Sequence, residues 1–414
     1  MGTNEQIVIV GGGQAGSCAA FAAREAGFQG RIIVIGAEPL LPYERPPLSK
    51  ATLIDPEPNV PVTFSAGRYE SGEIDLRLSH PVERIHVTAR KVVLRGGEGI
   101  AYDRLLLATG AQARHLRIPG AEEHVHYLRS YGDALALRDV LRANRRILCI
   151  GAGVIGLEVA ATAHTMGCKV TVVEAGPGVM GRCVPPAESA YLAGLHRRSG
   201  VDLHLSAGVT AIEAIDGTKR VEFADGNAIE ADAIVAGIGM VRNTALAMDA
   251  GIAVEDGILV DASGRTDKDA IFAAGDVAAF WHPGMGRRMR LESWHHAQDH
   301  GTAIGRVMAG IEESYQPIPR FWTEQHKVHL QVAGWLDEVD HCILRGERES
   351  GRYTALYLDK SGHVVGVVTA NTPRDMRPAL GFIRDRVRLD PAAAADVGIP
   401  LNKIPTEPAL PAGA

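Results

Sequence analysis

The sequence predicts an α/β protein of two Rossmann-like, three-layer domains followed by a small C-terminal α+β domain, on three observations. A β-branched run, a Gly-rich turn and a small-residue helix succeed one another near the start of the chain. The same succession returns in the middle. From about Pro319 the pattern changes to closely spaced strand-like runs. A length of 414 residues accommodates this, because single cores stop growing beyond about 250–300 residues.

Ile7 to Val10 is a continuous β-branched run, as expected of a parallel strand buried on both faces. Gly11-Gly12-Gly13-Gln14-Ala15-Gly16 follows, then a helix from Ser17 to Ala26 and a second buried strand from Arg31 to Ile35. That is a βαβ unit of about 30 residues, the size such a unit needs. Its repeat has a strand at Arg146 to Ile150, the turn Gly151-Ala152-Gly153-Val154-Ile155-Gly156, a helix from Leu157 to Met166 and a strand at Lys169 to Val173. Val92 to Arg95 and Leu105 to Ala108 read as strands between the two units, and Val201 to Phe223 alternates like antiparallel strands. A β-rich stretch from Gly257 to Ala274 leads into Gly275-Asp276. Strands are expected at Val328 to Val332, His341 to Leu344, Tyr353 to Leu358 and Val364 to Val368. Pro391 to Ala395 and Pro405 to Ala414 are Pro/Ala-rich and read as a loosely held tail.

Composition narrows the function classes. Hydrophobic residues at 46% and charged residues at 22% suit a soluble globular chain. A net charge of −6 gives no reason to expect nucleic acid as a partner. No run approaches the roughly 18 apolar residues of a membrane span. The first strand begins too early for a signal peptide, so a cytoplasmic location is expected. The five cysteines, Cys18, Cys149, Cys168, Cys183 and Cys342, are irregularly spaced and form no C-x-x-C or C-x-x-x-x-C pair. A disulfide framework, a zinc ribbon and a redox dithiol are therefore disfavoured. His296 with His300, and His326 with His329, lie close enough to suggest a metal, but no third-ligand motif accompanies them and none is assigned.

Each glycine of a G-x-G-x-x-G turn has its own task. The first permits the tight turn, the second lets backbone approach a pyrophosphate, and the third allows close helix–strand packing. The helix N-terminus then offers unpaired N–H groups to the phosphates. Gly11, Gly13 and Gly16, and again Gly151, Gly153 and Gly156, each stand between a strand and a helix, so two dinucleotide sites are expected. An acid about 20 residues onward should meet ribose hydroxyls; Glu38 and Glu174 fit. A carboxylate at Glu174, with no arginine cluster directly after it, favours NADH over NADPH.

By these motifs the chain resembles the FAD-dependent pyridine nucleotide reductases, and within them the ferredoxin reductases of the putidaredoxin reductase and Rieske-dioxygenase reductase type. The resemblance is carried by Pro42-Tyr43-Glu44-Arg45-Pro46-Pro47-Leu48-Ser49-Lys50, Ala108-Thr109-Gly110, Gly151 to Glu158, Ile271 to Ala278, Glu292-Ser293-Trp294 and Phe321-Trp322-Thr323-Glu324-Gln325. It implies an FAD-binding domain of residues 1–114 and 243–318, an inserted NAD-binding domain of residues 115–242, an α+β domain of residues 319–400 and a tail from 401. It further implies that Gln14, Ala15, Glu38, Arg45, Lys50 and Val82 line the FAD, together with Ala108, Thr109, Gly110 and Arg129. Gly275, Asp276, Glu292, Ser293, Trp294 and Trp322 join them, Asp276 on the ribityl chain. On the NAD side it implies Val154, Ile155, Glu158, Glu174, Arg182 and Gly239. Lys50 and Glu158 are the implied catalytic pair: a lysine near flavin N5, kept charged by a buried carboxylate that also meets the nicotinamide carboxamide.

The implied activity is hydride transfer from NADH to FAD, then single electrons to a 2Fe–2S ferredoxin feeding a cytochrome P450 or a Rieske oxygenase. A monomer or weak dimer is the expected state. Arg287-Arg288-Met289-Arg290 could steer an acidic ferredoxin, or could be a solvated loop. An NADH oxidase or a redox-sensing flavoprotein shares the fold, but Pro42 to Lys50 holds no cysteine and no basic surface is evident. Three departures from the pattern stand out. Gly178 replaces an arginine, for which Arg182 would substitute; Met240-Val241-Arg242-Asn243 lacks a proline; Glu324 replaces an aspartate.

Overall fold

The computed structural model describes residues 4–337 and 339–407. They divide into two compact units. The first comprises the chain up to Pro47, Asn59–Gln112 and Met240–Pro317; the second comprises Leu48–Pro58, Ala113–Gly239 and the chain from Ile318 on.

The first unit is built on a parallel sheet in the order Ile271–Ala273, Arg104–Leu107, Gln6–Val10, Arg31–Ile35, Ile74–Arg77. After their first residues, strands Gln6–Val10, Arg31–Ile35 and Arg104–Leu107 are apolar because both faces are covered. Ile7 and Ile9 face one core with helices Gln14–Glu25 and Trp294–Met308, while Val8 and Val10 face another built with the smaller β-sheets. The two helices approach closely enough that a Cβ at Gly301 would come within 2.2 Å of the Ala15 carbonyl oxygen, and one at Gly305 within 2.2 Å of that of Ala19. Nothing larger than hydrogen fits at those positions.

The second unit contains its own parallel sheet, in the order Asp202–His204, Lys169–Val173, Arg146–Ile150, Ala233–Ala236, Val125–Tyr127. Asp202–His204 is therefore a parallel edge strand, and only Val209–Ile215 and Thr218–Phe223 form the antiparallel pairing that alternation suggested. Helix Tyr131–Ala143 starts from a full capping box of Ser130 and Asp133. The same unit holds an antiparallel five-stranded sheet, Arg320–Gln325, Val328–Gly334, Val364–Ala370, Arg352–Leu358, His341–Glu347, with helix Pro373–Asp385 against it.

The observed units differ from the expected domain limits in three places. Leu48–Pro58 joins the second unit. It is held there by Lys50 on Glu158, by the Thr162 hydroxyl donating to the Ser49 carbonyl at 2.8 Å and by Tyr131 on the Pro58 carbonyl. The C-terminal sheet belongs to the same unit, where Arg348 meets the buried Glu188 at 2.9 Å and Tyr357 donates to the same carboxylate. Finally, the segment read as a loose tail is folded as far as it is described. Asp390 caps helix Pro391–Ala395, Ala394 is buried, and Arg345 donates to the carbonyls of Ala394, Asp396 and Ile399. Leu401 and Ile404 enter the C-terminal core, and Thr406–Glu407 pairs with Arg388–Leu389. An Ala/Pro-rich segment was able to order because a buried guanidinium satisfies its carbonyls; residues 408–414 of the expected tail lie outside the described residues. No helix among the described residues is long and apolar enough to cross a membrane.

The helix pair gives a direct test of packing. Gly305→Ala forces the helices apart and should cost roughly 1–3 kcal/mol, read as a lowered midpoint in thermal unfolding. An unchanged midpoint would mean that the backbones do not meet there.

Candidate nucleotide and redox site

In the first unit, strand Gln6–Val10 ends at Gly11, whose φ of +120° only glycine adopts readily. A Cβ at Gly11 would lie 2.2 Å from the Ala108 carbonyl oxygen, and one at Gly16 would lie 2.0 Å from that of Gly11. A Cβ at Gly13 would meet nothing within 4 Å. The fold thus demands the outer glycines, while Gly13 presents bare backbone to open space. Helix Gln14–Glu25 begins directly after Gly13, which offers no capping oxygen to its first amides. An anion seated there meets N–H groups and the positive end of the helix dipole.

Other predicted residues of this unit lie on several of its elements. Glu38 follows strand Arg31–Ile35 and accepts from Arg45 at 3.0 Å and from the Tyr43 hydroxyl. Thr109 donates to the Asn243 carbonyl at 2.8 Å and Asn243 returns the bond at 2.8 Å, tying the Ala108-Thr109-Gly110 turn in place. Gln14 accepts from Thr63 at 3.3 Å. Gly275, with φ of +76°, opens the turn that carries Asp276 and donates its N–H to His300 Nδ1 at 3.2 Å. Helix Trp294–Met308 is capped by Ser293, whose hydroxyl accepts from the His296 amide. Glu292, just before it, is clamped by Arg242 at 2.5 Å and by Arg290. Val82 is half-buried on strand Val82–His86.

The neighbouring side chains have their own employment. His296 and His300 are buried against Phe280 and Tyr315, and burial pushes the His296 imidazole down to about 3 and that of His300 well below its usual range. They act as neutral core groups. Arg288 donates to the Val260 carbonyl and Arg290 also meets Asp256. Much of the basic run is therefore spent inside the chain. Arg242, in the stretch that lacks a proline, is the residue that bridges Glu292 and Asp256.

The second turn repeats the logic in the second unit. Gly151, with φ of +96°, would place a Cβ 2.6 Å from the Gly237 carbonyl oxygen; Gly156 would place one 2.0 Å from that of Gly151. Gly153 would meet only the Gly237 oxygen, at 3.7 Å. Ile155, in the first turn of helix Val154–Thr165, stands 41% exposed, an uncovered apolar face beside the open glycine. Glu174 follows strand Lys169–Val173, and its carboxylate accepts from the amides of Ala152 and Gly176, each at 2.7 Å. It is thereby fixed at the turn with lone pairs left for hydroxyl donors. Arg182 is exposed and reaches towards Gly239, whose Cβ position lies 3.8 Å from its guanidinium. A Cβ at Gly178 would come within 2.7 Å of the Ser189 hydroxyl oxygen.

One turn further along the same helix stands Glu158, 2% exposed. Oε2 accepts from Lys50 Nζ at 2.6 Å and from the Ser49 hydroxyl. Oε1 accepts from the Thr323 hydroxyl at 2.8 Å and from the Glu324 amide at 3.3 Å. A buried carboxylate with an ammonium and three further donors is fully satisfied. Lys50, Arg129 and Trp322, assigned to FAD by resemblance, belong to this second unit. Ser49, Thr323 and the neighbouring Gln325 were not singled out from sequence. Thr323 and Gln325 are both 1% exposed and alternate on strand Arg320–Gln325, so two polar residues on the inward face of a strand were the available signal.

Family comparison matches this geometry. Residues 5–301 match the pyridine nucleotide-disulphide oxidoreductase family, and residues 320–405 match the reductase C-terminal domain. The chain belongs to the pyridine nucleotide-disulphide oxidoreductase family, in the branch that carries the reductase C-terminal domain. It is 40% identical over 399 residues to rhodocoxin reductase of Rhodococcus erythropolis, covering 96% of this chain and 93% of that one. It is 39% identical to the ferredoxin–NAD(+) reductase component of the p-cumate 2,3-dioxygenase system of Pseudomonas putida, covering 96% and 98%. Among solved structures it is similar to the ferredoxin reductase for the CYP199A2 system from Rhodopseudomonas palustris, with a TM-score of 0.93, 34% identity and coverage of 97% and 99%.

The open middle glycines separate nucleotide binding from folding. Gly13→Ala should leave stability within about 0.5 kcal/mol of wild type but purify with markedly less flavin per protein by absorbance. Gly153→Ala should keep its flavin and raise the KM for NADH. Full flavin in the first variant would contradict the assignment of Gly13 to the pyrophosphate.

Proposed function

We propose that this chain is an NADH:ferredoxin oxidoreductase with FAD resident on the Gly11–Gly16 turn and NADH visiting the Gly151–Gly156 turn. The observation that carries the reading is the pair of turns whose middle glycines face open space while their outer glycines are forced by the fold. FAD, when bound, supplies the bridge between two-electron hydride chemistry and single-electron transfer.

The chain's own residues then have distinct tasks. The amides opening helix Gln14–Glu25 hold the FAD pyrophosphate, and Glu38, oriented by Arg45 and Tyr43, receives a ribose hydroxyl. Asp276, presented by the Gly275 turn, holds the ribityl chain. In the second unit the amides opening helix Val154–Thr165 hold the NADH pyrophosphate with Arg182, and Glu174 receives its ribose. A 2′-phosphate there would meet a carboxylate already committed to two amides, which opposes NADPH. Glu158 accepts the nicotinamide carboxamide and holds Lys50 in an ion pair beside it. No side chain has to move a proton for the hydride step.

The acceptor is a 2Fe–2S ferredoxin serving a P450 or Rieske oxygenase; similarity to a ferredoxin–NAD(+) reductase component of a dioxygenase system and to the ferredoxin reductase for the CYP199A2 system supports this reading. A cytoplasmic location accords with NADH as donor. A thiol-based oxidase or peroxidase is less well supported: Cys18, the cysteine nearest the first turn, is buried and its thiol is pushed up to about 12 by desolvation. It is a poor nucleophile in that state.

The test is NADH-driven cytochrome c reduction by the flavin-loaded protein, with and without added 2Fe–2S ferredoxins. At least one ferredoxin should accelerate it strongly while oxygen consumption stays slow. Fast oxygen consumption with no response to any ferredoxin would transfer the assignment to an oxidase.

A further inference from the structure

The hydrogen bonds reaching Glu158 do not stop at Thr323, and their sense is fixed from one end. Glu158 is ion-paired with Lys50, so its carboxylate can only accept. The Thr323 hydroxyl, 2.8 Å from Oε1, therefore spends its single proton on Glu158. Gln325 lies 3.0 Å from the same hydroxyl and must approach as donor, through its NH2 group. Its carbonyl oxygen is thereby turned towards His196 Nε2 at 2.9 Å, so His196 carries its proton on Nε2. His196 Nδ1 is then a lone pair, and His326 Nε2, at 3.1 Å, must donate to it.

All these groups belong to the second unit, and every bond points towards Glu158. Thr323, Gln325 and His196 are at most 1% exposed, so water cannot stand in for a missing partner. Aligned donors polarise one another and strengthen the last bond in the series. The Gln325 NH2 group also lies 3.6 Å from the Met180 sulfur, a feeble acceptor that does not favour either amide orientation. The N–H of His196 completes that orientation by satisfying the Gln325 oxygen. Without it this buried oxygen has lost its donor, and turning to Thr323 would make it compete with Glu158 for one hydroxyl proton.

We propose that His196 is a positioning residue for hydride transfer, which sets the Gln325 amide so that Thr323 holds the Glu158 carboxylate in the orientation that NADH and Lys50 require. This rests on the reading of Glu158 given above. Thr323 and the Glu324 amide hold one carboxylate oxygen and leave the other to Lys50 and Ser49, so losing Thr323 frees the carboxylate to rotate.

The experiment is anaerobic stopped-flow bleaching of the flavin-loaded full chain over a range of NADH concentrations. Thr323→Val and His196→Met should each lower the limiting rate divided by the apparent Kd about tenfold, the scale of one hydrogen bond to a charged group. Thr323→Ser and His196→Gln retain the donor and should stay near wild type. Because His196 acts only through Thr323, the double variant H196M/T323V should be no slower than T323V. Losses that multiply, or H196Q as slow as H196M, would mark a packing role and overturn the proposal. If H196M does not fold, Gln325→Met breaks the series one bond nearer, and wild-type kinetics there would overturn it equally. Wild-type protein that NADH does not bleach at all would instead overturn the assignment of function, and this inference with it.

Discussion

A carboxylate buried at 2% exposure is the constraint around which the second unit is arranged. Left unpaired, such a charge costs several kcal/mol, and removing one partner of a buried pair typically costs about 3–5 kcal/mol. Glu158 is satisfied only because two distant pieces of chain converge on its helix. The 48–58 segment brings Ser49 and Lys50, and strand Arg320–Gln325 brings the Thr323 hydroxyl and the Glu324 amide. That is why Leu48–Pro58 and the C-terminal sheet fold with the second Gly-rich turn. A second buried acid, Glu188, does similar work through Arg348 and Tyr357.

The two Gly-rich turns are alike in backbone and unlike in setting. In both, the outer glycines answer to close approaches of backbone atoms, and the middle glycine answers to open space. The first turn is accompanied by an acid held by an arginine and a tyrosine, Glu38, in a unit with the Gly275-Asp276 turn. The second is accompanied by one held by two backbone amides, Glu174, with the Lys50–Glu158 pair one helical turn further on. The proposed roles, a resident cofactor on the first and a visiting reductant on the second, build on that difference.

Much of this was legible in the chain. Continuous β-branched runs identified the parallel strands because strands buried on both faces lose their alternation, and Gly11 and Gly151 were readable because tight turns exclude side chains. Alternation misled at Val201 to Phe223, where a short edge strand shares the period of a hairpin. Composition misled at Pro391 to Ala395, where order comes from Arg345, far away in sequence. The partners of Glu158 were only half visible: Lys50 came from a family motif, Thr323 showed only as a polar residue on the inward face of a strand, and the His196–Gln325 contact has no local signature. Their meaning lies in tertiary hydrogen bonds that no spacing encodes.

The claim on which the whole account turns is that reducing equivalents pass from NADH to FAD bound by this chain. Anaerobic titration of the purified flavoprotein, followed by its visible absorbance, tests it most directly. The account predicts that stoichiometric NADH bleaches the flavin band and that NADPH does so far less readily. A band that NADH leaves unchanged, while dithionite abolishes it, would contradict the account.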